Sequence, residues 1–139
     1  MTGIVNSFIN LQWQPNLPAG SFMLPDGYPV LWRGRMLRHR PRGYTDGMSD
    51  PKAVQFLNSS LNPFGWAMRA AVPHDGGYHR ALDESFDNGR TWLPITLSKD
   101  DCDLMFKEIL DAIATTDAER AEAILFYNAV KYGGQAAFD

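Results

Sequence analysis

Ser98-Lys-Asp-Asp-Cys-Asp-Leu-Met-Phe-Lys-Glu-Ile-Leu-Asp-Ala-Ile113, with Thr116-Asp-Ala-Glu119 just behind it, decides the fold. Ser98-x-x-Asp101 resembles a capping box, with Asp in place of the usual Glu. Cys102, Met105, Phe106, Ile109, Leu110 and Ile113 then recur at helical spacing and form one apolar stripe. This predicts a helix near 99–113, with Asp100 and Asp101 as favourable first-turn acids. Thr116-x-x-Glu119 is a second capping box. It predicts a helix near 117–132, with Ala121, Ile124, Leu125 and Ala129 facing inward and Gly133-Gly134 as its end. So short a connection makes the two helices an antiparallel hairpin.

Asp103 stands out within the first of these helices. At about 100° per residue it falls roughly 20° from Leu110, on the flank of the apolar stripe. A carboxylate bordering a core needs a partner. The candidate partners lie upstream, in Arg69-Ala-Ala-Val-Pro-His-Asp-Gly-Gly-Tyr78. If that segment coils, His74 and Tyr78 share one face, and Asp75 and His79 share the next. A histidine flanked by a carboxylate and a phenol suits general-base work or metal binding. The plainer alternative is a buried, hydrogen-bonded His74 beside a solvated Asp75. Asn62-Pro63 is a good helix entry. Pro73 predicts a kink or restart between Ala70 and His74, because it cannot donate and crowds the preceding turn. Gly76-Gly77 permits close approach by a ligand or another backbone.

The N-terminal third reads as β-rich. Residues 3–13 predict a strand, and Val30 to Leu37 a second, with proline- and glycine-marked turns between them. Residues 44–51 read as a loop and 51–57 as a short helix. Asn88-Gly89 is the strongest hairpin signal in the chain and makes 81–97 a small hairpin or flap, with Trp92 packing back. The fold class expected is α+β in one domain, 1–139. A β-rich part, 1–50, packs on a helical part, 51–134, interrupted by the excursion at 81–97.

Charge and cysteine content bound the function. The net charge of -3 creates no whole-protein field for nucleic acid. Arg33, Arg35, Arg38, Arg40 and Arg42 cluster around Trp32, a pattern that could bind phosphate or a single strand. A charged edge strand that resists aggregation explains it as well, and no nucleic-acid partner is expected. Cys102 is the one cysteine, which rules out an internal disulfide. No apolar run approaches the ~18 residues of a membrane span. Met1 to Asn10 lacks the basic and apolar regions of a signal peptide.

Four pieces in order resemble a known family. They are Thr45-Asp46-Gly47-x-Ser49-x-Pro51, Arg69-Ala70-Ala71-x-x-His74-Asp75-x-x-Tyr78, Ser98-Lys99-x-x-x-Asp103-x-x-Phe106 and Tyr127-x-Ala129-Val130-x-x-Gly133. Over roughly residues 44–134 the chain is similar to the phage and prophage family catalogued as "domain of unknown function thirteen-fifty-three". That family usually has an aliphatic residue in place of Pro73 and bulkier residues in place of Gly76-Gly77. The resemblance implies phage origin, with residence in the host bacterial cytoplasm or the phage particle. Its implied partners are other phage or virion proteins or the host envelope.

His-Asp-x-x-Tyr on one helix, with an aspartate on a later antiparallel helix, is also similar to phospholipase A2. That likeness implies His74 as the base, Asp103 as its orienter and Tyr78 beside them. It implies Asp75 as a ligand of a divalent cation such as calcium, with an oxygen from Asp46. The functional expectation is a small phage-borne hydrolase acting on an ester or cell-envelope substrate. The alternative is a non-enzymatic virion component or host-interaction factor with a structural polar cluster.

Overall fold

The computed structural model describes residues 1–5, 12–13, 22–45, 66–133 and 138. It is an α+β fold. Strands β1 (Gly3–Ile4), β4 (Tyr28–Trp32), β5 (Arg35–His39), β7 (Leu82–Ser85) and β8 (Leu93–Ile95) form one sheet in the order β1-β4-β5-β7-β8. Every pairing in it is antiparallel. Strands β2 (Gln12–Trp13), β3 (Phe22–Leu24) and β6 (Gly43–Thr45) make a second, smaller sheet. Helices α1 (Met68–Tyr78), α2 (Lys99–Ile113) and α3 (Asp117–Gly133) follow.

Two strand expectations need correction. The described residues of 3–13 hold two short strands, which lie in separate sheets, rather than one strand. The single strand expected over 30–37 is a hairpin. Trp32 pairs with Arg35, and Arg33 and Gly34 between them have φ of 52° and 77°. Two successive positive values give the tight turn whose twist suits a two-residue hairpin. Apolar alternation simply continues across the turn, with Tyr28, Val30 and Trp32 buried on one arm and Leu37 and His39 on the other.

The hairpin expected at 81–97 is present, with β7 paired antiparallel to β8, but it belongs to the main sheet and is not a flap. β7 lies between β5 and β8, and all four of its residues are buried. Asn88 and Gly89 do adopt positive φ, 61° and 86°, in the β7–β8 connection. Trp92 packs back against Arg38, whose guanidinium lies 4.4 Å from the indole ring.

α1 runs through Pro73 without interruption, against the expected break. Pro73 withdraws one amide from the ladder. Residues 70–78 are all buried, so packing on every side outweighs that local loss. The two glycines show how tightly α1 is held. A Cβ on Gly76 would lie 2.8 Å from His39 Cδ2, and one on Gly77 would lie 2.5 Å from Cys102 Sγ. α1 is therefore clamped between β5 and α2, and no larger residue fits at either position. The Asn62-Pro63 entry and the helix expected at 51–57 lie outside the described residues.

α2 and α3 occupy the spans expected. Ser98 Oγ accepts from the Asp101 amide at 3.1 Å, and Thr116 Oγ1 from the Glu119 amide at 3.0 Å. The Lys99 ammonium at the start of α2 reaches the Val130 and Lys131 carbonyls near the end of α3, so the helices are antiparallel. The inward face of α3 is not the expected one. Ala123, Phe126 and Val130 are buried, while Ile124 and Leu125 are 53% and 51% exposed. Trp66 selects this face: its ring stacks on Phe126 at 6.2 Å, and its indole N–H donates to Glu122.

The observed rotation of α3 gives a simple test. Phe126→Ala should cost about 3–5 kcal/mol by cavity formation. Leu125→Ala should stay within about 0.5 kcal/mol, as at other surface positions. Chemical denaturation of both variants checks this, and comparable losses would mean that α3 is seated on its other face.

Candidate active site

α1 and α2 pack side by side and bring the upstream and downstream candidates together. His74 Nε2 lies 2.9 Å from Asp103 Oδ1. The Tyr78 hydroxyl donates to the same oxygen at 2.6 Å. Both come from one face of α1, as their i, i+4 spacing requires. The other carboxylate oxygen, Oδ2, accepts from Lys99 Nζ at 2.6 Å, one turn earlier on α2. His74, Tyr78 and Asp103 are 3%, 2% and 2% exposed. The His74 ring packs on Tyr78 and Phe106, with centroids 4.2 and 4.8 Å away. Phe138 closes over the outer edge of Tyr78 at 5.3 Å, with the Arg80 guanidinium stacked on it.

Three donors explain how a carboxylate can be buried here. Burial alone would push the Asp103 carboxyl up. Hydrogen bonds from His74, Lys99 and Tyr78 together reverse that and hold it below its usual range. The Tyr78 phenol is displaced the opposite way. Burial and its bond to the Asp103 carboxylate both favour the protonated form, so Tyr78 acts as a donor throughout the neutral range. Cys102, next along α2, is pushed up to about 12 by burial and by the neighbouring aspartates, so it is an unreactive thiol.

The other candidates are placed differently. Asp75 is buried on the adjacent face of α1, where its Oδ1 lies 3.0 Å from His79 Nε2. Asp46 lies outside the described residues. Calcium takes about 6–8 oxygen ligands. Among the described residues no three His, Cys, Asp or Glu side chains gather closely enough to hold a metal ion. The described residues alone do not make up a calcium shell.

Lys99 is the member that sequence reading missed as a functional residue. Its signal is the i, i+4 spacing to Asp103, which places a lysine one turn before an aspartate on the same face. A recess of about 240 Å³ opens beside the cluster, lined by Asp100, Asp103, Leu104, Tyr127 and Lys131.

Four of the five clustered arginines, Arg33, Arg35, Arg38 and Arg40, form ion pairs. Arg35 bonds Glu84 through two nitrogens, at 2.9 and 2.8 Å. Arg38 and Arg40 converge on Asp83. Arg33 bonds Glu108, which also accepts from the Trp32 indole. The expected edge strand is thus an interior one: β5 lies between β4 and β7, and its arginines neutralise the carboxylates of β7. Comparison of the chain with protein-family models, with curated proteins and with solved structures finds no match.

The Asp103 environment dictates a pH dependence. Its folded value lies below the unfolded value of about 3.9, so its stabilisation is complete above that pH. That stabilisation is lost as pH falls through the folded value. Asp103→Asn should cost about 3–5 kcal/mol at pH 7, because it strands the Lys99 charge. The gap between parent and variant should narrow as the pH falls below about 3.9. Urea melts across that range check this; parallel stability curves would show that Asp103 is not held ionised.

Proposed function

We propose that this chain is a small phage-borne hydrolase with His74 as general base, acting on an ester or cell-envelope substrate. One observation carries the reading: the Asp103 carboxylate sits on Nε2 of His74 at 2.9 Å. An ionised carboxylate only accepts, so this bond assigns the proton to Nε2 and the lone pair to Nδ1. Nδ1 is then the atom that takes a proton from water as the water attacks the substrate carbonyl. The imidazolium so formed is stabilised by Asp103, and it returns the proton to the leaving alkoxide. Base catalysis of this kind contributes about 10²–10⁴-fold. Tyr78 braces the carboxylate from its own helix, which fixes the plane in which His74 must lie.

A second reading is favoured by burial. With His74, Tyr78 and Asp103 all 3% exposed or less, the cluster is as well sealed as the core around it. Fully bonded polar groups in a core hold helices in one register. On this reading the protein is a non-enzymatic virion component or host-interaction factor. His74→Ala separates the two. The catalytic reading expects ester hydrolysis in the parent to be abolished, with a folded variant. The structural reading expects no hydrolysis in the parent and a loss of about 1–3 kcal/mol in stability.

Nucleic acid is not part of either reading. Arg33, Arg35, Arg38 and Arg40 are paired with Glu108, Glu84 and Asp83. Binding through free arginines would weaken steeply with salt by counterion release. The protein should pass through immobilised DNA or RNA at near-physiological ionic strength, and salt-dependent retention would overturn this.

A further inference from the structure

We propose that Lys99 is a positioning residue for the His74–Asp103 pair, coupling that pair to the seating of α3. The inference rests on the catalytic reading of His74 and extends it to a residue that does not touch His74.

The ammonium group of Lys99 has three protons and, in this structure, three acceptors. They are Asp103 Oδ2 at 2.6 Å, the Val130 carbonyl at 3.0 Å and the Lys131 carbonyl at 3.2 Å. Its side chain is 11% exposed. Two of the three acceptors are carbonyls in the last turn of α3, where the helix dipole favours a cation. The third is the carboxylate oxygen that His74 and Tyr78 do not use. Lys99 therefore holds one oxygen of Asp103 while α1 holds the other, and this fixes the rotation of the carboxylate about its own axis.

The charge arithmetic gives Lys99 a second effect on the same pair. Asp103 carries one negative charge in a buried site, and Lys99 supplies the compensating positive one. His74 and Lys99 thus share one carboxylate through its two opposite oxygens. Removing Lys99 should free the carboxylate to rotate against the His74 ring.

The test reads the imidazole directly. In the parent, long-range proton–nitrogen correlation NMR at neutral pH should show the His74 Nε2 proton downfield and slow to exchange. Lys99→Met should move that proton upfield, speed its exchange and change the ring nitrogen shifts. Thr116→Ala serves as the control. It removes the cap of α3 and lowers stability without touching the cluster, so it should leave the His74 signals in place. Signals equally disturbed in both variants would reduce Lys99 to a general stabiliser and overturn the proposal. Should Lys99→Met fail to fold, the parent alone still decides. Scalar coupling between Lys99 Nζ and the Asp103 carboxyl carbon is expected, and its absence overturns the proposal.

Kinetics tell failure of this inference from failure of the reading beneath it. With an active parent, Lys99→Met should lower kcat about 100-fold with little change in KM, the scale expected for misplacing a catalytic group. An active parent with unchanged kcat in Lys99→Met defeats the role of Lys99 alone. An inactive parent with the expected NMR changes defeats the hydrolase reading, and leaves Lys99 positioning a structural pair.

Discussion

A carboxylate buried to 2% exposure is the constraint around which this molecule is arranged. Taking such a charge out of water costs several kcal/mol unless charged and hydrogen-bonding partners accompany it. Asp103 meets the requirement with three donors drawn from two helices, and one of those donors also binds the third helix. The apolar residues around it, Phe106, Met105 and Leu110 among them, supply the driving force for burial but fix no register by themselves. The polar bonds are directional, and they set α1, α2 and α3 at one mutual position.

The same logic recurs on the sheet in a more exposed form. β7 brings Asp83 and Glu84 inside, and β5 answers with Arg35 and Arg38, joined by Arg40 just past its end. A bidentate arginine–carboxylate pair such as Arg35–Glu84 has a geometry that a lysine would not reproduce. Partly exposed pairs of this kind contribute little stability one at a time. Their effect is on specificity, because a one-residue slip of β7 would put Asp83 and Glu84 opposite the wrong faces of β5. Arg38 also covers Trp92, so the β7–β8 connection is anchored to the same strand.

Much of this was legible in the sequence where a local signal carries the whole answer. The two capping boxes gave the starts of α2 and α3, because Ser98 and Thr116 act on amides three residues away. The meeting of His74 with Asp103 was legible because His74 follows an apolar turn and Asp103 flanks an apolar stripe, so both point to the seam between their helices. Three features were not legible because tertiary contacts decide them. The Arg33-Gly34 turn interrupts an apolar alternation that reads straight through it. Pro73 sits inside a helix that survives because it is buried on every side. On α3, two apolar stripes lie on roughly opposite faces, one through Ile124 and Leu125 and one through Phe126 and Val130. Periodicity cannot choose between them; the Trp66–Phe126 stack and the Lys99 bonds to the end of the helix do. Lys99 itself was visible only as a charged neighbour of Asp103: the hairpin returns the end of α3 to the start of α2, but nothing local shows that its carbonyls meet this ammonium.

The central claim is that Asp103 is a buried but ionised carboxylate shared by His74, Tyr78 and Lys99. Carboxyl carbon NMR of aspartate-labelled protein, titrated with acid, reads that state directly. The account predicts that the Asp103 resonance keeps its carboxylate position down to and below the ordinary value of about 3.9. It should then move only as the protein unfolds. A resonance that titrates above that value, in a protein still folded, would show burial winning over the three donors and would contradict the account.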